Sequence, residues 1–188
     1  MKLHFRKLLI FGAFASIVAF SRCQKGDSAK PFGLTNIYMP QSLSSGGVNL
    51  NYIVPSGLDS ATHNYTIDSI NNKLEVILGV SRSGKEPSGG YSVAIETNAD
   101  TIQSAITNGT LQAELLPDKS YSLPAEVKVP GGQYAATFYL SVDIDQLKMF
   151  AGKKVALAVK ISQSSRYQID LNHAETIVII DVSALNLP

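Results

Sequence analysis

Asp143 and Asp145 stand two apart in FYLSVDID, and paired carboxylates are the equipment of glycoside hydrolysis. The pair also suits a plainer task. A carboxylate just before QLKMF can accept hydrogen bonds from the first amides of a helix, and Asp145 is expected to be that cap. Past residue 22 the histidines are His63, in LDSATHNY, and His173, in DLNHAE. Neither belongs to an HxH or HExxH arrangement, so zinc finds no ligand set. Asp170, Asn172 and Glu175 could offer oxygens to calcium, but the EF-hand glycine and spacing are missing, so a polar turn is expected. No GxSxG elbow presents a serine nucleophile. The expectation is therefore a protein that is not an enzyme, with no catalytic residue, metal or cofactor.

Contact chemistry is better represented. The chain has no tryptophan but eight tyrosines. Tyrosine joins a flat apolar ring to a polar hydroxyl, which suits the face of a sugar. Tyr91, Tyr134 and Tyr167 fall at turns and Tyr139 on the polar side of a strand, and these four are the candidate glycan contacts. The competing reading of each is ordinary sheet surface or loop packing.

The elements that would carry them are strands. Leu74, Val76, Leu78 and Val80 alternate through KLEVILGVS, as do Val93 and Ile95 in YSVAIET, and Val127 and Val129 in EVKV. Ala136, Phe138, Leu140 and Val142 share one side of AATFYLSVD, and Val155, Leu157, Val159 and Ile161 one side of VALAVKIS. Ile177 and Ile179 fall together in TIVIIDV. Period-two alternation puts apolar side chains inside and polar or small ones outside. Shorter strands are expected over Thr35–Met39, Asn49–Val54 and Asn64–Asp68, with turns at the Gly, Pro and Ser clusters. Asn98 should cap a helix over ADTIQSAITNG, and a second short helix should follow Asp143. The fold class is mainly all-β: an immunoglobulin-like antiparallel β-sandwich of about seven to nine strands with one or two short helices.

The N-terminus carries an address. Lys2, Arg6 and Lys7 precede thirteen apolar or small residues from Leu8 to Phe20, the charged-then-apolar order of a secretory signal. A membrane-spanning helix needs about 20 such residues. Cys23, the single cysteine, follows after Ser21 and Arg22. It sits where bacterial lipoproteins carry the acylated cysteine that becomes the mature N-terminus, although Arg22 replaces the usual small residue before it. The expected organisation is a signal over 1–22, a flexible tether over 23–34 and one β-sandwich domain over 35–188. Lone Cys23 can form no disulfide within the chain. Without Lys2, Arg6, Lys7 and Arg22, the 16 basic residues fall to 12 against 15 acidic ones, a net charge of −3. The basic residues are scattered, which argues against nucleic acid as a partner.

Three stretches carry a resemblance: IYMPQS at Ile37–Ser42, AELLPDKSYSLPAEVKVPGGQ at Ala113–Gln133, and DQLKMFAGKKVALAVKIS at Asp145–Ser162. The block from Ile37 to Val182 resembles an N-terminal module of unknown function from surface lipoproteins of Bacteroides-type gut bacteria. Val155-Ala156-Leu157 departs from it, standing where that family often has an aromatic and a proline. The resemblance implies an immunoglobulin-like sandwich, often placed ahead of glycoside hydrolase, discoidin-like or laminin-G-like domains. It implies an adhesin-like or glycan-capturing accessory and supplies no catalytic residues. Asp-hydroxyl-aliphatic triplets at Asp27, Asp59, Asp68 and Asp100 are similar to the O-glycosylation acceptor of the same bacteria, and Ser28 and Ser60 are the candidate acceptors. The expected function is a lipid-anchored, non-catalytic outer-membrane module, at the cell surface or on the periplasmic face. Its expected partners are the membrane through its lipid, a polysaccharide or host glycan, and other surface lipoproteins. The alternative is a fimbria-like assembly subunit that uses TIVIIDV as a donated or accepting edge.

Overall fold

Residues 35–44, 47–48, 51–84 and 89–188 are described in the computed structural model. The expected signal and tether, with Cys23 and Ser28, lie outside them. The strands in chain order are β1 Asn36–Tyr38, β2 Leu43–Ser44, β3 Gly47–Val48, β4 Asn51–Val54, β5 Tyr65–Asp68, β6 Lys73–Arg82 and β7 Tyr91–Thr97. After them come β8 Glu114–Leu115, β9 Tyr121–Ser122, β10 Glu126–Val129, β11 Ala135–Asp143, β12 Lys154–Ser164, β13 Gln168–Ile169 and β14 Glu175–Asp181.

Two six-stranded sheets pack face to face. The first runs β13-β1-β6-β11-β9, with β5 also on β6; the second runs β10-β7-β12-β14-β4, with β8 also on β12. The alternating runs supply the layer between them. Leu74, Val76, Leu78 and Val80 of β6 and Phe138, Leu140 and Val142 of β11 belong to the same buried cluster as Val93, Val127, Val155, Leu157, Val159 and Val178 of the second sheet. Leu140 is fully buried in it. The all-β sandwich expected from alternation is the fold observed.

Several details depart from the expectation, and the two sheets hold twelve strands rather than seven to nine because short segments add to their edges. Pairs β1/β13, β8/β12 and β4/β14 are parallel rather than antiparallel. Each joins segments far apart in the chain, so no hairpin forces the two directions to oppose. TIVIIDV is no edge: β14 lies between β12 and β4. Nor is its outer face polar. Ile177 and Ile179 pack with Ala156 and Ala158 against Ile102 of the helix Ala99–Thr107, making a second, smaller core. Small alanines on the outer side of β12 leave room for that helix. Its cap is the expected one, Asn98 accepting from the Thr101 amide at 3.4 Å.

The second helix, Ile144–Lys148, is capped by Asp143 and not by Asp145. Asp143 accepts from the Gln146 amide at 3.2 Å and from Lys73 Nζ at 3.0 Å, while exposed Asp145 lies in the first turn. Those bonds favour the ionised form of Asp143 and hold its pKa below the ordinary value, the Lys73 bond contributing most.

Replacing Leu140 by alanine should cost about 2–5 kcal/mol, the range for emptying a packed aliphatic site. Denaturant unfolding of the variant measures it; a loss below about 1 kcal/mol would contradict the central position given to Leu140.

Candidate functional site

The site begins with a fault in β12. Its pairing with β7 runs Ile161 to Ile95 and then Gln163 to Ala94, leaving Ser162 as an extra residue. Such a bulge bends its strand and re-aims the side chains that follow. Past it the chain turns out through Ser165–Tyr167 and crosses to β13 in the other sheet. Ser165 ties the turn back to β7: its amide donates to Ser92 O at 3.0 Å, and its Oγ accepts from the Ser92 amide at 2.9 Å.

Two shallow depressions flank this turn and share Gln163 and Ser164. Ser92, Glu126 and Ser165 line one. Tyr167, Gln168 and Leu171 line the other. Together they form a groove of hydroxyls and amides with an aromatic wall and Leu171 exposed at its rim. Its carboxylate, Glu126, has a lowered pKa, caused first by a hydrogen bond from Ser92 and then by Lys128 at 3.6 Å.

Three of the four expected tyrosines meet beside this groove, around Arg82. The Arg82 guanidinium lies 4.4 Å from the Tyr134 ring centre and 5.7 Å from that of Tyr167, within cation–π range. Tyr134 is about half exposed. Tyr91 corrects the expectation. It is only 4 % exposed, its ring meets Tyr167 edge-on at 5.5 Å, and its hydroxyl donates to the Tyr134 carbonyl at 3.0 Å. It supports the cluster and offers no face to a ligand. Tyr139 stands apart, exposed on β11 and paired with Ile77 of β6.

The remaining candidates resolve into local structure. Asp59 accepts from the Ala61 and Thr62 amides, and Asp68 from those of Ile70 and Asn71. These turns leave Ser60 exposed at a loop tip. His63 stacks on Tyr65 at 5.1 Å. Asp170 is taken up by its own turn, accepting from the Asn172 amide at 3.1 Å and meeting His173 Nδ1 at 2.9 Å. The His173 contact is the first cause of its lowered pKa. Among the described residues no group of three His, Cys, Asp or Glu could hold a metal.

Sequence reasoning missed Arg82, Arg166, Gln163 and Gln168. One signal was present: residues 23–188 contain two arginines, one ending the apolar run KLEVILGVSR and one beside Tyr167. Glutamines in a strand end carry no such mark.

Burial pushes the Tyr91 phenol up to about 12, Arg82 partly opposing it. An unfolded tyrosine ionises near 10, so the unfolded chain loses its proton first. The Tyr91 contribution to stability is full below about pH 10 and is lost as pH rises through the folded value. Tyr91→Phe should therefore show a shallower fall in stability between about pH 10 and 12 than the parent. Equal slopes in paired pH-denaturation series would contradict the burial of that hydroxyl.

Comparison with known proteins agrees with the architecture. A family model described as an N-terminal domain matches residues 36–168. No curated protein matches the sequence. Among solved structures, a Bacteroides ovatus protein provisionally described as carbohydrate-binding aligns with a TM-score of 0.54 at 12% identity, over 77% of this chain and 36% of its own. EndoBT-3987 of Bacteroides thetaiotaomicron, solved with a Man5GlcNAc product, aligns at 0.52 and 13% identity, over 77% of this chain and 30% of its own. A Bacteroides ovatus protein of unknown function aligns at 0.50 and 20% identity, over 77% of this chain and 43% of its own. The chain thus spans less than half the length of each of these relatives in fold. With the model covering most of the sandwich, the chain belongs to this family of N-terminal domains, whose neighbours in structure are Bacteroides proteins of unknown function or provisional carbohydrate binding.

Proposed function

We propose that this chain is an exported, lipid-anchored, non-catalytic module that holds glycan in the groove beside the β12 bulge. The observation that carries the reading is the groove itself: Gln163, Ser164 and Gln168 beside the Tyr167 wall, with the half-exposed Tyr134 ring nearby. Sugars present hydroxyls at their edges and apolar C–H groups on their faces. Amides and hydroxyls serve the first, and tyrosine rings the second. Ser162 Oγ and Tyr167 Oη are buried with no hydrogen-bond partner among the described residues. Unmet groups of this kind cost about 1–3 kcal/mol each, and a groove that rearranges on a polyhydroxylated ligand would satisfy them. The fold likeness to a provisionally carbohydrate-binding protein, and to one solved with an oligosaccharide product, supports the same reading.

The anchor belongs to this reading. Acylation at Cys23 would moor the domain in the outer membrane, since each buried CH₂ contributes about 0.8 kcal/mol. An outward-facing domain would meet polysaccharide or host glycan, alone or beside other surface lipoproteins. Ser28 and Ser60 are the proposed O-glycan carriers. Mass spectrometry of the native protein should find residues 1–22 removed, acyl mass on Cys23 and hexose mass on the Ser28 and Ser60 peptides. A free thiol on an intact leader would overturn the anchor, and unmodified serines would overturn the glycosylation.

Affinity electrophoresis of the full chain in mild detergent, in gels cast with a panel of polysaccharides, tests the binding. Retention on at least one is expected. Gln163→Ala should weaken it roughly tenfold, the effect of losing about 1.4 kcal/mol of contact. Tyr139→Ala should leave it unchanged. Loss with Tyr139→Ala alone would move the site to the other sheet, and no retention on any polymer would defeat the proposal.

A further inference from the structure

Arg166 stands out among the cations of the described residues. It is exposed, yet its guanidinium is held. One side meets the Tyr167 ring at 5.2 Å. Another rests against the backbone of Gly89, where an added Cβ would lie 1.3 Å from Nη1. The missing side chain at Gly89 is what makes the space. Among the described residues no carboxylate pairs with this guanidinium or with Lys119, whereas Lys73, Lys128, Lys148, Lys153, Lys154 and Lys160 each have one. A surface arginine normally samples many rotamers and loses that freedom on binding. Here stacking has already restricted it, so less is lost when a ligand arrives.

Its place in the chain matters as much. Ser165 before it lines one half of the groove and Tyr167 after it lines the other. Arg82 stacks behind the same ring, at 5.7 Å from its centre. Among the described residues, the carboxylates that line the groove or follow its turn are engaged: Glu126 by Lys128 at 3.6 Å, and Asp170 by His173 at 2.9 Å. Resting on the glycan reading above, we infer that the groove takes an acidic saccharide, with Arg166 forking onto its carboxylate or sulfate. The planar guanidinium matches either oxyanion with two parallel hydrogen bonds. Tyr167 holds the fork at the height of the groove wall, and Gly89 fixes its far side.

Affinity electrophoresis of the full chain in detergent, with polygalacturonate, dextran sulfate, neutral dextran and mannan as probes, tests this. Retention on polygalacturonate, dextran sulfate or both is expected, and which of them retains tells carboxylate from sulfate. Arg166→Gln should weaken it about tenfold. Gly89→Ala, which keeps every charge but pushes the guanidinium off its seat, should weaken it several-fold. Lys148→Gln, the same charge loss at the far end of the sandwich, should leave it unchanged. Equal losses from Lys148→Gln and Arg166→Gln would overturn the assignment in favour of diffuse attraction to polyanions. Undiminished acidic retention in Arg166→Gln would overturn it as well. Retention on the neutral polymers alone would overturn it while leaving the glycan reading intact, and retention on none would defeat both.

Discussion

β12 is enclosed on both faces, and most of the molecule is arranged around that fact. Its inward side chains, Val155, Leu157, Val159 and Ile161, lie in the main core, and its outward alanines 156 and 158 lie under the helix. It pairs with β14 along one edge and with β7 and β8 along the other. A strand so confined has its register set on every side, because a slip of one residue would exchange the faces of all its side chains. The bulge at Ser162 comes where the register from Val155 to Ile161 is already determined. Beyond it the strand leaves the core pattern, and the residues that follow become the groove.

The cationic end of the sandwich follows the same logic. Arg82 closes β6, whose earlier residues are committed to the core, and is itself 4 % exposed. Placing an arginine there is tolerable because aromatic faces surround it. Guanidinium is more weakly hydrated than ammonium and stacks on rings, so it loses less on entering such a site than lysine would. Tyr91 braces the arrangement from below by donating to the Tyr134 carbonyl. One buried tyrosine thus helps to hold an exposed one, and the two roles could not be told apart from residue type.

Much of the fold was legible because alternation is a local signal. The long strands, the Asn98 cap and the short helix after Asp143 stand where spacing and capping chemistry put them. The misassigned cap shows where this reading stops. Asp143 and Asp145 are equally suited to the task by type, and Lys73, seventy residues away, holds the one that performs it. The parallel pairs were hidden for a related reason, since they join segments with no hairpin between them. The site was hidden more deeply. Gln163 and Gln168 acquire meaning only when a bulge and a crossover bring them to one groove.

By itself the sequence determined that this is a cysteine-poor β protein with its apolar residues on alternate positions, a charged-then-apolar N-terminus and no clustered catalytic motif. Those properties are written in composition and near-neighbour spacing, which the chain carries before it folds. Tertiary structure alone decided that Tyr91 is core, that Tyr134 and Tyr167 share a guanidinium, and that Arg166 sits on Gly89. These contacts join residues tens of positions apart. They depend on which strands become neighbours, and that is settled by burying two sheets and a helix around β12, not by any local preference.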